Sequence, residues 1–307
     1  MSIKLVEVTG IPHALAALKE SKRHYRYLDH LEDMQRYRNM TDFRGFILPR
    51  MDYFRYIQAK YPEVNNREVT ALVNDDYNNL EKDLNKLAKY GAGVGQEFDG
   101  AWYDAGHETL LRFIDFTFVV EDLHRGGMDD LDSHAKRFDN RIVRSSTRLG
   151  TYGQSERSPW YENRIQSTEE VCRASGIHLP ETATINGIKY VKTANGYVQK
   201  GMETDNDVLR GNYPLSIPMS AIMRINFVDA RHVYMRRNMY THANPELREN
   251  IESLADQIEA AIPYDLGKLI RYDYAYDPKI NDYRLAHIMS IKKVVDTTRT
   301  GEDGSYD

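Results

Sequence analysis

At 307 residues the chain is long enough for one large domain or two modest ones. Its 41% hydrophobic and 28% charged residues describe a folded, globular chain, and its 22 tyrosines pack apolar rings while keeping a polar handle. A net charge of −5 argues against a general affinity for nucleic acid, whose phosphates call for a basic surface, and a single cysteine excludes an intramolecular disulfide and a Cys-rich metal site.

No basic stretch followed by an apolar run opens the sequence, and no window approaches the 18 or so apolar residues of a membrane span. The expectation is a cytoplasmic protein with no membrane partner.

Residues 13–40 carry apolar positions at helical spacing, interrupted by the basic and aromatic run Lys22-Arg-His-Tyr-Arg-Tyr27. That run reads as a solvated face, because Asp29, Glu32 and Asp33 alternate with it. Residues 67–90 read as one long helix, stopped by the glycine run Gly91-Ala-Gly-Val-Gly95. Phe113 to Val120 is dense in β-branched and aromatic residues and reads as a strand. Residues 128–148 turn polar and then basic, with a helix expected from about His134 to Arg144.

Cys172 falls on a short helical stretch, where it reads as structural, with no activating neighbourhood. Asn-Gly pairs at 186–187 and 195–196 sit among alternating apolar residues and predict a small hairpin. Ala221 to Arg237 reads as a mixed apolar and basic stretch that is helical by its end. Pro245 opens a further helix that runs to Ile262 and stops before Pro263. The tail from Asp296 is polar. Helices outnumber strands and are not interleaved with them regularly, so the fold class is α+β.

Three groups of residues could carry chemistry. Gly106-His-Glu-Thr109 precedes the predicted strand. His107 lacks the histidine spacing of a zinc site, so this segment reads first as a cap or turn, and no metal is expected. Arg137, Arg141, Arg144 and Arg148 lie three or four apart and would share one face of a helix. Such a stripe calls for an anionic ligand or for Asp129 to Asp132 folding back upon it; Ser145, Ser146, Thr147 and Thr151 add hydroxyls suited to phosphate or ribose. The third group is Arg210, Asn226, Arg236, Arg237, His242 and Arg248, basic residues interleaved with apolar ones, for which a nucleotide phosphate is one partner.

Taken together, Gly106-His-Glu-Thr109, Phe116-Thr-Phe118, Arg210, Pro214, Asn226, Arg237 and the His242-to-Arg248 segment resemble the flavin-dependent thymidylate synthase family over residues 100–155 and 208–262. The family signature Arg-His-Arg-x-x-Ser-x-Asn-Glu-x-Ser-x-Arg-Tyr is best placed on Asp139 to Tyr152. There Arg141 and Tyr152 stand at signature positions, together with Gly150, while Thr147, Leu149 and Thr151 replace a Glu, a Ser and an Arg. Phe113 stands where the family has a histidine.

The resemblance implies a thymidylate-synthase-complementing-protein-like fold, a mixed sheet packed with long helices. It would comprise a helical N-terminal extension over 1–95, a core over 96–265 and a C-terminal extension over 266–307. It implies reductive methylation of dUMP at C5, with FAD as cofactor and NADPH and methylenetetrahydrofolate as co-substrates, in a homotetramer. Arg141 and Arg237 would be catalytic. Asn226, His107, Thr117, His232 and Arg141 would hold the cofactor, and Arg210, Arg237, Ser145, Gly150, Tyr152 and Arg148 the substrate. The alternatives are another flavin- or folate-linked pyrimidine modification, such as hydroxymethylation, and a non-catalytic nucleotide-binding protein.

Overall fold

The computed structural model describes residues 2–21, 27–92, 95–98, 101–104, 107–134, 141–145, 159–161, 164, 166–193, 196–203, 216–238, 244–271, 274–277 and 282–285. The first half contains β1 (Ser2–Thr9), α1 (Ile11–Glu20), α2 (Tyr27–Asn39), α3 (Arg50–Lys60), α4 (Asn66–Ala92), the hairpin of β2 (Gly95–Phe98) and β3 (Ala101–Asp104), and α5 (Glu108–Leu111). Then follow β4 (Asp115–His124), α6 (Arg125–His134), β5 (Arg141–Arg144), α7 (Thr168–Ala174), and the strands β6 (Thr182–Ile185), β7 (Ile188–Thr193) and β8 (Gly196–Gln199). The last part holds β9 (Pro218–Asn226), α8 (Phe227–Asn238), α9 (Pro245–Ala261), α10 (Tyr264–Lys268) with a 3-10 turn at Leu269–Arg271, and the hairpin of β10 (Tyr274–Asp277) and β11 (Asp282–Leu285). The architecture is α+β, with sheets paired antiparallel throughout the described residues.

The central sheet runs β1-β4-β9-β5. Alternation of buried and exposed residues fixes its register, interrupted by shifts between Leu5 and Glu7 of β1 and between Val120 and Leu123 of β4. Phe116, Phe118 and Val120 of β4 and Met219, Ala221, Met223 and Ile225 of β9 are buried on one face, which joins a core with Leu80, Leu84 and Leu87 of α4 and Leu247, Ile251, Leu254 and Ile258 of α9. On the other face Ser220, Ile222 and Arg224 of β9 are exposed. The β1 edge is closed by α9: Leu5 N–H donates to Gln257 Oε1 at 2.7 Å, and Gln257 Nε2 donates to the Ile3 carbonyl at 2.7 Å. This cover removes the open strand edge that would otherwise invite pairing with another chain.

Several expectations need correction. The N-terminal 95 residues are not wholly helical, because the chain opens with β1, whose Ile3, Leu5 and Val8 need the core that β4 supplies. The helix expected over His134 to Arg144 gives way to α6, ending at His134, and to β5, where β-branched Ile142 and Val143 pair with Met223 and Ile222. The stretch from Ala221 to Arg237 is helical by its end, as expected: Ala221 to Asn226 is strand, and the helix begins at Phe227.

Gly91 is still helical, and its missing side chain admits Leu111: a Cβ there would lie 2.5 Å from Leu111 Cγ. The expected hairpin is part of a three-stranded sheet, with Asn186 at φ 51° and Gly187 at φ 79° forming its first turn. The long helix over 67–90 and the helix opened by Pro245 stand as expected. Cys172 lies on α7, partly buried. The tail from Asp296 lies outside the described residues.

Candidate functional site

The start of β4, the end of β9 and the start of β5 meet at one end of the central sheet. Registers Glu7↔Thr117, Thr117↔Arg224 and Arg224↔Arg141 set these four side chains in one row across the four strands. Directly opposed like charges destabilise a strand pair. Arg224 is neutralised by Asp115 at 2.7 Å and also donates to Thr9 Oγ1 at 3.3 Å. Arg141 is exposed and forms no ion pair among the described residues. Thr117 donates its hydroxyl to Glu7 at 3.4 Å. The row therefore ends in one uncompensated guanidinium beside a compensated one, an arrangement that accepts an anion.

Arg141 and Arg144 are three apart on a strand, so they point to opposite faces and share no helical stripe. Arg144 turns to the helical side, where it binds Asp129 and, at 3.1 Å, Asp132. Its guanidinium is held by α6, the internal pairing that the sequence offered as one of two outcomes. Arg137 and Arg148 lie outside the described residues.

Asn226 is 2% exposed, and its side chain works inside the fold. Its Nδ2 donates to Asp229 at 2.9 Å, while Asp229 N–H donates to its Oδ1 at 3.0 Å, closing the first turn of α8. This amide does not fit a direct contact with a flavin ring. His107 is an exposed residue at the start of α5 and makes no side-chain cap. His232 is exposed on α8, at its sixth position. Ser145 accepts the Ser220 N–H at 3.1 Å, at the far end of β5 from Arg141; four residues of strand separate the two by about 13 Å. Arg210, Gly150, Tyr152 and Arg148 lie outside the described residues, as does the side chain of Arg237.

Sequence reasoning missed Arg224, whose place in the row needs β9 to be recognised as a strand. It also missed a buried pair. At the end of β4 a bulge at Asp122, with φ 58°, shifts the register and turns His124 inward to 2% exposure. Its ring Nδ1 contacts Glu246, which is 0% exposed, and its backbone N–H donates to the same carboxylate at 3.2 Å.

Asn244 caps α9 by accepting the Glu246 N–H at 3.1 Å and the Leu247 N–H at 3.4 Å through Oδ1. That role turns its Nδ2 toward His124 Nε2, 2.8 Å away. Nε2 therefore accepts, and Nδ1 carries the hydrogen donated to Glu246. Tyr161 stacks edge-on to the imidazole, and its hydroxyl lies 3.4 Å from Nε2. No single stretch of sequence signals a pair drawn together across 122 positions.

Among the described residues no helix is long and apolar enough to cross a membrane. No family model matches the chain, and no curated protein matches it. Solved structures similar to it include a flavin-dependent thymidylate synthase from Helicobacter pylori complexed with FAD and dUMP, at 14% identity over 84% of this chain and 93% of that one, with a TM-score of 0.43. A second structure of that Helicobacter enzyme with FAD and dUMP gives 13% identity over 88% and 99%, with a TM-score of 0.45. A UMP/dUMP methylase, PolB from Streptomyces cacaoi, bound with 5-Br dUMP gives 12% identity over 87% and 93%, with a TM-score of 0.40. The first two are of the family that the sequence resembles.

Proposed function

We propose that the chain is a nucleotide-modifying enzyme of flavin-dependent thymidylate synthase type, acting at C5 of a pyrimidine nucleotide, with dUMP as substrate. The observation that carries this reading is Arg141, an exposed guanidinium with no ion pair among the described residues, next to Arg224 on the sheet face where Ser220 and Ile222 are also exposed. A phosphate there would compensate the Arg141 charge and receive planar, two-pronged hydrogen bonds. The motif residues support the same ligand: Arg210 and Arg237 are proposed as further nucleotide arginines, with Ser145, Arg148, Gly150 and Tyr152 lining the substrate.

Methylenetetrahydrofolate would supply the carbon and NADPH the reducing equivalents, in a homotetramer. FAD, when bound, would supply the hydride for reductive methylation. Thr117, His107, His232 and Arg141 are the residues proposed to hold it. Asn226 fits this role only if the turn at Asp229 opens, so the flavin contact expected of it is not part of the proposal. Arg141 orients the phosphate, and Arg237 would stabilise negative charge developing on the pyrimidine ring.

The test is a visible absorption spectrum of the purified protein, before and after adding FAD and then dUMP. A flavin spectrum that shifts on adding dUMP supports both ligands in one site. Rescue of a thymidine-requiring strain then separates methylation from hydroxymethylation, which would leave the strain unrescued. A colourless protein that takes up no FAD but still binds dUMP would favour the non-catalytic reading, to which the withdrawn amide of Asn226 already lends weight.

A further inference from the structure

Away from the sheet face, α2, α3 and α4 line an open cleft of about 630 Å³. Its walls follow helical periodicity. Leu31, Met34, Gln35 and Arg38 line it from α2 at three- and four-residue steps, Tyr53, Ile57 and Lys60 from α3, and Leu72 and Asp76 from α4. A globular helix normally buries such a stripe. Here Leu31 is 44% exposed and Leu72 45% exposed, so an apolar wall stands open to solvent.

The charged groups of the cleft are ordered. Asp76 accepts from Arg36 Nε at 2.8 Å and from Tyr53 at 2.8 Å, which fixes the Arg36 guanidinium against the floor. Burial disfavours the Arg36 charge, but the Asp76 hydrogen bond and charge outweigh it. With Asp76 matched to Arg36, the remaining lining charges are Arg38, Lys60 and Glu32. Arg38 and Lys60 have no ion pair among the described residues; the Lys60 ammonium lies 5.5 Å from the Tyr61 ring centroid. The cleft thus pairs an apolar wall with an excess of cations, at a volume typical of small-molecule sites, about 300–1,000 Å³.

We propose that this cleft is a binding site for a small organic anion with an apolar or aromatic body. The body lies against Leu31, Met34, Ile57 and Leu72, and the anionic head meets Arg38 and Lys60, with Arg36 beneath. None of these residues belongs to the stretch that resembles the thymidylate synthases, so the site stands whether or not the nucleotide reading does.

Fluorescence titration with 8-anilinonaphthalene-1-sulfonate, an aromatic ring system bearing one anion, tests the proposal on the full chain. Saturable one-to-one binding is expected, unaffected by dUMP. The double variant Arg38→Glu with Lys60→Glu changes only exposed side chains and should weaken binding by at least about tenfold, the scale of one lost charge-assisted hydrogen bond. Leu72→Glu should do the same, while Lys189→Glu, a charge change on distant β7, should leave affinity unchanged. N-phenyl-1-naphthylamine, the same rings without the sulfonate, should bind at least about tenfold more weakly.

The two cations also sit in the last turns of α2 and α3, where they complement the helix dipoles. If that is all they do, the double variant loses stability but binds the probe like the wild type, and the proposal fails. It fails equally if binding does not saturate, or if the neutral amine binds as tightly as the sulfonate.

Discussion

Replacing Glu246 by alanine strikes the least exposed charged group described in the chain. The carboxylate is 0% exposed and faces a histidine that is 2% exposed. It accepts from both the ring Nδ1 and the backbone N–H of His124. Removing it leaves these two donors buried without that acceptor, each at about 1–3 kcal/mol, for a loss of about 2–6 kcal/mol. Total stabilities are about 5–15 kcal/mol, so the variant should be severely weakened. The urea slope rises with chain size, so at about 3 kcal/mol/M for 307 residues the midpoint should fall by roughly 0.7–2 M at unchanged slope.

Glu246→Gln keeps an acceptor of the same shape and should cost less than about 1.5 kcal/mol. Equilibrium urea unfolding followed by circular dichroism measures both. An alanine variant within about 0.5 kcal/mol of the wild type would refute the reasoning. So would a glutamine variant as damaged as the alanine one, because the argument rests on an acceptor being present.

Other expectations follow from the same geometry. Burial, then the charge of Tyr264, pushes Tyr77 up to about 12, and burial, then the hydrogen bond to Asp76, raises Tyr53. Unfolded tyrosine titrates near 10, so the folded state holds these protons more tightly; stability is intact below about pH 10 and lost as pH rises toward 12. Tyrosinate absorbance at 295 nm should show these rings ionising together with loss of helical signal, and free titration at pH 10 without unfolding would contradict this.

Gly10 has φ 86° and an added Cβ would lie 1.7 Å from the Phe113 carbonyl oxygen, so Gly10→Ala should cost at least about 3 kcal/mol in urea unfolding. Gly187, at φ 79° with nothing near, should lose only about 1–2 kcal/mol on the same change. Equal losses would show that the backbone at Gly10 relaxes. Arg144→Ala removes a partly exposed pair with Asp129 and Asp132 and should cost no more than about 1 kcal/mol, leaving dUMP affinity unchanged in calorimetry.

Periodicity was legible where one period dominated. The 27 residues of α4 keep an amphipathic pattern throughout, and Asn-Gly at 186–187 announced its turn. It failed where two periods compete. Arg141 and Arg144 satisfy helical spacing as charges, but Ile142 and Val143 between them prefer a strand that can pair with β9. In β9 itself, buried Met219, Ala221, Met223 and Ile225 alternate with exposed positions, yet exposed Ile222 blurs the pattern. Of the candidate site, Arg141, Thr117 and Asn226 were named from motif spacing, and all three fall at one end of the sheet. What Asn226 bonds to, and that Arg224 neighbours Arg141, depends on strand register, which a motif does not encode.

The most direct test of the nucleotide reading is calorimetric titration of dUMP into the wild type and into Arg141→Ala. An anion site centred on Arg141 predicts saturable binding that weakens by about 10–150-fold in the variant, the equivalent of one lost charge-assisted contact of about 1.5–3 kcal/mol, with thermal stability unchanged. Equal affinities in the two proteins, or no binding to the wild type, would contradict it.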